Sequence, residues 1–93
     1  MNLDKFQTPA ERARNIAARE KMRRKQKRIT QKELSERTGI SVGSIKRFEQ
    51  TGEISFVSLL KIADILEGAE EFDHLFCRKE YKSIEEVLDE LGK

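Results

Sequence analysis

Apolar residues fall at helical spacing from residue 56 onward, with Phe56, Leu59, Leu60, Ala63 and Leu66 at i, i+3, i+4, i+7 and i+10. Val57, Ile62 and Ile65 widen that stripe until the segment is apolar almost all round, which predicts a helix at the centre of the fold. The flanking segments are sparser. Leu34, Ile40, Ile45 and Phe48 supply single anchors before it, and Phe72, Leu75 and Phe76 follow it. The first long segment offers only Ile16, some alanines and Met22. Near the end, Ile84, Val87, Leu88 and Leu91 make a narrow stripe on an acidic background. An isolated helix that short is marginal, so its stripe needs a surface: its own core, a second copy or another protein. No period-two alternation appears, and no strand is expected.

Local punctuation sets the boundaries. Thr8, Pro9 and Glu11 form a capping box with proline at the first helical position, and Thr30 with Glu33 and Ser83 with Glu86 repeat the box. Ser41 and Ser55 are simple N-caps. Gly39, Gly52, Gly68 and Gly92 each follow a helical stretch, where a left-handed residue ends a helix at little cost. The pattern predicts six helices over 9–28, 31–38, 42–50, 56–67, 69–77 and 84–91. It defines an all-α protein: a compact five-helix domain over 8–77 and a short acidic C-terminal helix within 78–93.

Charge adds direction. Residues 1–30 carry ten Lys/Arg against three Asp/Glu, whereas residues 53–93 carry five against eleven. A basic front and an acidic back suit a surface facing a polyanion, although two solvated helix faces would give the same numbers. The run at 23–28, RRKQKR, reads either as a helix end complementing its dipole or as a phosphate contact. The single cysteine, Cys77, excludes an internal disulfide framework and fits a reduced, cytoplasmic protein. No segment approaches the ~18 apolar residues of a membrane span, and no secretory leader is evident.

The stretch at 36–52, ERTGISVGSIKRFEQTG, then raises a question of economy. Thr38-Gly39-Ile40 is a tight turn that sets two helices at a steep angle, with Ile40 plugging the corner. On a wheel of about 100° per residue, Ile45 and Phe48 point inward. Gly43, Lys46, Arg47 and Gln50 point outward, and Ser41 and Val42 sit at the exposed tip. A helix with two anchors and a protruding basic face is built to enter a groove.

Residues 30–50, TQKELSERTGISVGSIKRFEQ, resemble the helix-turn-helix of the phage-repressor (Cro-like, xenobiotic-response-element) family, through Gln31, Leu34, Gly39, Ile40, Ile45, Phe48 and Glu49. The similarity continues through TGEISFVSLLKIADILEG. Ser35 stands where alanine is usual in that family, Thr38 where a small apolar residue is common, and Arg23 where leucine is frequent. The resemblance implies double-stranded DNA as partner, with the third helix entering the major groove tip first. It makes Arg47 the residue for a bidentate guanine contact, Ser41 a contact to a base edge or phosphate, and Val42 a contact to a thymine methyl. Gly43 would allow close approach. Gln31 would hold a phosphate at the start of the second helix, and Ser44, Lys46, Gln50 and Thr51 would contact the backbone. Arg24 would pair with Glu49 while reaching a phosphate.

Two functional readings follow from that resemblance. One is a homodimeric transcriptional regulator, a repressor on an inverted repeat. The other rests on likeness to the small HipB-like antitoxins, which bind a kinase-like toxin and repress their own operon. A helical scaffold without DNA binding would leave the Lys46-Arg47 face unexplained. Enzymatic readings have little support: His74 stands alone with Asp73 and Cys77 and is expected to be a partly buried structural residue. Neither a phosphate-cradling glycine loop nor a metal-ligand cluster is present in the sequence, and no cofactor is implied.

Overall fold

The computed structural model describes residues 7–77 and 84–92. Six helices follow in order: α1 Pro9–Gln26, α2 Gln31–Thr38, α3 Val42–Thr51, α4 Phe56–Ile65, α5 Ala69–Phe72 and α6 Ile84–Leu91. There is no strand among the described residues. The Ser83 cap lies outside them.

Short-range chemistry starts these helices where the caps predict. Thr8 Oγ1 accepts the Glu11 N–H at 3.1 Å, and the Glu11 carboxylate accepts the Thr8 N–H at 3.4 Å. Thr30 and Glu33 repeat the exchange at 3.0 and 3.3 Å. Ser41 and Ser55 cap α3 and α4 through the N–H groups of Ser44 and Ser58.

The turn between α2 and α3 is closed by side-chain hydrogen bonds. Gly39 adopts φ 78°, a left-handed conformation that closes α2. Thr38 Oγ1 donates to the Leu34 carbonyl at 2.7 Å and accepts the Ile40 N–H at 3.2 Å. Ser35 Oγ donates to the Ile40 carbonyl at 2.5 Å. The two residues that depart from the family pattern here thus satisfy backbone groups that the turn would otherwise leave unpaired.

The core gathers Leu34, Ile45, Phe48 and Ile62, all under 2% exposed, with Ala17, Ile29, Ile40 and Leu66. Burying each large side chain is worth ~1.5–3 kcal/mol. Its centre is therefore shared by α2, α3 and the second half of α4. The expectation that α4 is buried all round fails at its start, where Phe56 and Val57 are exposed. Phe56 instead meets Phe72 edge-on, with ring centroids 6.2 Å apart. Met22 also faces solvent. The inward face of α1 is Ala17, Glu20 and Arg24, so charged residues occupy the positions where the apolar pattern offered Met22.

Four helix ends differ from the sequence reading: α1 stops at Gln26 rather than 28, α3 runs to Thr51 rather than 50, and α4 and α5 both end early. α4 stops at Ile65, and Glu67, not Gly68, takes the left-handed conformation (φ 60°). The Gly68 N–H then reaches the Ala63 carbonyl at 2.8 Å, closing the helix two residues early. A Cβ at Gly68 would lie 2.6 Å from Arg23 Nη1 and 2.8 Å from Glu71 Oε2, the ends of two exposed side chains that can move aside. α5 is a single turn that ends at Phe72 rather than near 77, and the chain continues in turns, with Leu75 bonded to Phe72 and Cys77 to His74. His74 consequently lies on the surface, as do Asp73 and Cys77, instead of being partly buried.

Candidate nucleic-acid interface

α3 divides cleanly. Ile45 and Phe48 are 0% and 1% exposed, while Ser41, Gly43, Ser44, Lys46, Arg47, Gln50 and Thr51 are exposed and Val42 is half-buried. The predicted outer face is thus one continuous surface on one helix.

Several of its groups already have partners. Ser41 Oγ accepts the Ser44 N–H at 3.1 Å and donates to Ser44 Oγ at 2.9 Å, so Ser44 presents the outer hydroxyl at the tip. Thr51 Oγ1 donates to the Arg47 carbonyl at 2.7 Å and accepts the Glu53 N–H at 3.1 Å. Gly52, at φ 83°, turns the chain back there and brings Glu53 alongside Arg47. The Arg47 guanidinium donates to Glu53 Oε2 through Nε at 2.9 Å and also through Nη2. Glu53 was not among the predicted site residues. Its signal is positional: an acid one residue beyond a left-handed glycine folds over the preceding turn.

Gly43 has open space around it, since a Cβ would meet nothing nearer than Ser41 Oγ at 4.0 Å. Packing within the protein therefore gives no reason for glycine at this point of the exposed face.

Beneath α3 lies a buried polar cluster. Arg24 donates to Glu49 through Nε and Nη2, each at 2.8 Å, and through Nη1 to the Ile29 carbonyl at 2.9 Å. Gln31 Nε2 donates to Glu49 Oε1 at 3.0 Å. The side chains of Arg24 and Glu49 are 7% and 2% exposed. Burial by itself would raise the Glu49 carboxyl, but the hydrogen bonds of Arg24, Glu20 and Gln31 hold it down at about 2. The same pairing raises Arg24. Both Arg24 and Gln31 are thus turned toward Glu49, and Arg24 belongs to the framework under α3 more than to the surface.

The basic run at 23–28 has a third fate beside the two weighed from sequence. Arg23 pairs with Glu71 at 2.6 Å and Lys27 with Glu67 at 3.1 Å. Arg23 is raised and Glu71 lowered by that contact. Part of the acidic back therefore neutralises the basic front, leaving Lys25 and Arg28 exposed.

Two short helices joined by a bonded glycine turn, the second presenting an exposed polar face, define a helix-turn-helix DNA-binding domain. The Cro/C1-type HTH DNA-binding domain matches residues 21–67, half of the chain, and the protein belongs to that family. No match is found among curated proteins or among solved structures. No described helix is long and apolar enough to cross a membrane.

Proposed function

We propose that the protein is a sequence-specific transcriptional regulator that reads double-stranded DNA with α3 in the major groove. It acts in the cytoplasm as a homodimeric repressor. The observation that carries this reading is the division of α3 into two buried anchors and an exposed face of Ser41, Gly43, Ser44, Lys46, Arg47 and Gln50. In this reading Arg47 contacts guanine. Val42 packs on a thymine methyl and Ser41 bonds a base edge or a phosphate, while Ser44, Lys46, Gln50 and Thr51 hold the backbone. Gln31 reaches a phosphate from the start of α2, and Arg24 holds the frame through Glu49.

A twofold assembly is favoured by apolar side chains outside α3. Phe56, Val57, Leu75 and Phe76 are exposed on the α4–α5 side, and Leu88 and Leu91 on α6 are 60% and 78% exposed. Residues 8–77 then form the DNA-binding unit and 78–93 the contact segment. Selection of duplexes from a randomised pool tests this directly. The enriched sites should be inverted repeats with half-sites about one helical turn (~34 Å) apart. Enrichment of single, unpaired half-sites contradicts the dimer, and no enrichment contradicts specific reading.

The same exposed apolar residues favour a second reading, an antitoxin that covers a kinase-like toxin and represses its own operon. A kinase-like protein encoded by the neighbouring gene, forming a stable complex with this chain, would favour it over a plain regulator.

A further inference from the structure

Ala17, Glu20 and Arg24 share the face of α1 that packs against α3, and two of the three are ionisable. Arg24 has three hydrogen bonds to acceptors. Glu20 has none from a donor: it is 9% exposed, and both carboxyl oxygens are out of solvent with no N–H or O–H group in reach. An ionised carboxylate in that position is strongly disfavoured. The group beside it is the Glu49 carboxylate, another acceptor.

Two carboxylates in contact away from water do not both ionise, and one proton between them converts repulsion into a hydrogen bond. The surrounding donors decide which of the two keeps its charge. Arg24 and Gln31 both donate to Glu49, so Glu49 stays ionised. Glu20, without such donors, keeps the proton.

We propose that Glu20 is a neutral carboxylic acid at physiological pH and a positioning residue for the DNA-facing site. Its O–H donates to Glu49 and completes a chain that runs from Glu20 and Arg24 on α1, through Glu49 on α3, to Gln31 on α2. This rests on the reading of α3 as the recognition helix, because the chain fixes that helix against the two that flank it.

The charged groups around Glu20 are Lys21 and Arg24 on its own helix and Glu49 on α3. On its other side runs a groove of about 340 Å³, with Arg19, Arg23 and Glu71 in its wall. Burial first, and then contact with Glu49, push the Glu20 carboxyl from 4.5 up to about 9. A raised carboxyl contributes stability that is full below the unfolded value of 4.5 and is lost as pH rises through about 9. Glutamine at this position supplies an N–H donor with no proton to lose.

The test is carboxyl 13C NMR of the Glu-labelled full chain from pH 3 to 10, with Glu20→Gln and Glu20→Leu for assignment. One resonance, absent from both variants, should keep its protonated position at pH 7 and move near pH 9. The Tm of the wild type should fall from pH 6 to 9, and that of Glu20→Gln should stay level. On a duplex enriched from the random pool, Glu20→Gln should bind within about twofold of wild type at pH 7. Glu20→Leu, if folded, should bind at least about fivefold more weakly. A Glu20 resonance that titrates between pH 4 and 5 overturns the proposal. So does equal DNA binding by wild type, Glu20→Gln and Glu20→Leu, which would remove the positioning role. Failure of the DNA reading shows differently: the wild type binds every duplex alike while the Glu20 titration near pH 9 persists, and the site to be positioned is gone.

Discussion

Arg47, the guanidinium on the outer face of α3, is held by the carboxylate of Glu53, one residue past the turn at Gly52. The pair is exposed on both sides, at 69% and 63%. Such pairs are worth ~0–1 kcal/mol and weaken with salt. In the proposed reading Glu53 occupies the Nε–Nη2 edge of Arg47 and sets a negative charge beside the face that meets the polyanion. Glu53→Gln should therefore tighten specific DNA binding by up to about fivefold at low salt, with a smaller gain at high salt. Titrations of the two proteins on one duplex check this. Weaker binding by Glu53→Gln would show that Glu53 helps present Arg47.

Gly43 sits in the first turn of α3 with free space around its Cα. Alanine should stabilise the helix by up to ~1 kcal/mol. If Gly43 serves close approach to DNA, the same change should reduce DNA affinity at least about tenfold. Thermal denaturation and binding measured on one preparation separate the two effects. Unchanged binding with raised Tm would make Gly43 a residue that is merely tolerated.

Gly39 and Gly52 both have positive φ, but their surroundings differ. A Cβ at Gly39 meets nothing within 4 Å, whereas one at Gly52 would lie 2.7 Å from the Ala13 carbonyl carbon and 2.8 Å from the Arg14 nitrogen. Gly39→Ala should cost ~1–2 kcal/mol, the left-handed penalty alone. Gly52→Ala adds a backbone clash and should cost ~3–5 kcal/mol. At ~4–8 °C per kcal/mol the Tm values separate clearly. Equal losses would mean that α1 yields at Ala13.

Much of this was legible because it is local. Thr8 with Glu11 and Thr30 with Glu33 are three residues apart, and the turn at Gly39 needs only its own residues. The inward spacing of Ile45 and Phe48 also follows from one helix. Features set by packing between helices were not legible. Glu20 reads as a surface acid until α3 brings Glu49 against it. Its spacing with Ala17 and Arg24, at i, i+3 and i+7, is the one hint. Phe56 and Val57 read as core because periodicity cannot say where a neighbouring helix stops. α4 ends at Ile65 with Glu67 in the left-handed conformation, and no glycine at that position announces it.

Glu49 ties this packing to acid stability. Its carboxyl is lowered from 4.5 to about 2. A lowered carboxyl contributes stability that is full above 4.5 and is lost as pH falls toward 2. The Tm should drop over that window. Glu49→Gln, which leaves Arg24 buried without its charge partner, should cost ~3 kcal/mol at neutral pH and lose most of the acid-dependent drop. A Glu49→Gln curve parallel to wild type from pH 4.5 to 2 would assign the acid sensitivity to other carboxylates.

The most direct test of α3 as a reading helix is fluorescence anisotropy with DNA from upstream of the protein's own gene, against a scrambled duplex, across a salt series. The account predicts at least ~10³-fold tighter binding to the native sequence. It also predicts that Arg47→Ala abolishes that preference while keeping most of the salt slope. Equal, weak binding of both duplexes by the wild type, with Arg47→Ala indistinguishable from it, would contradict the account.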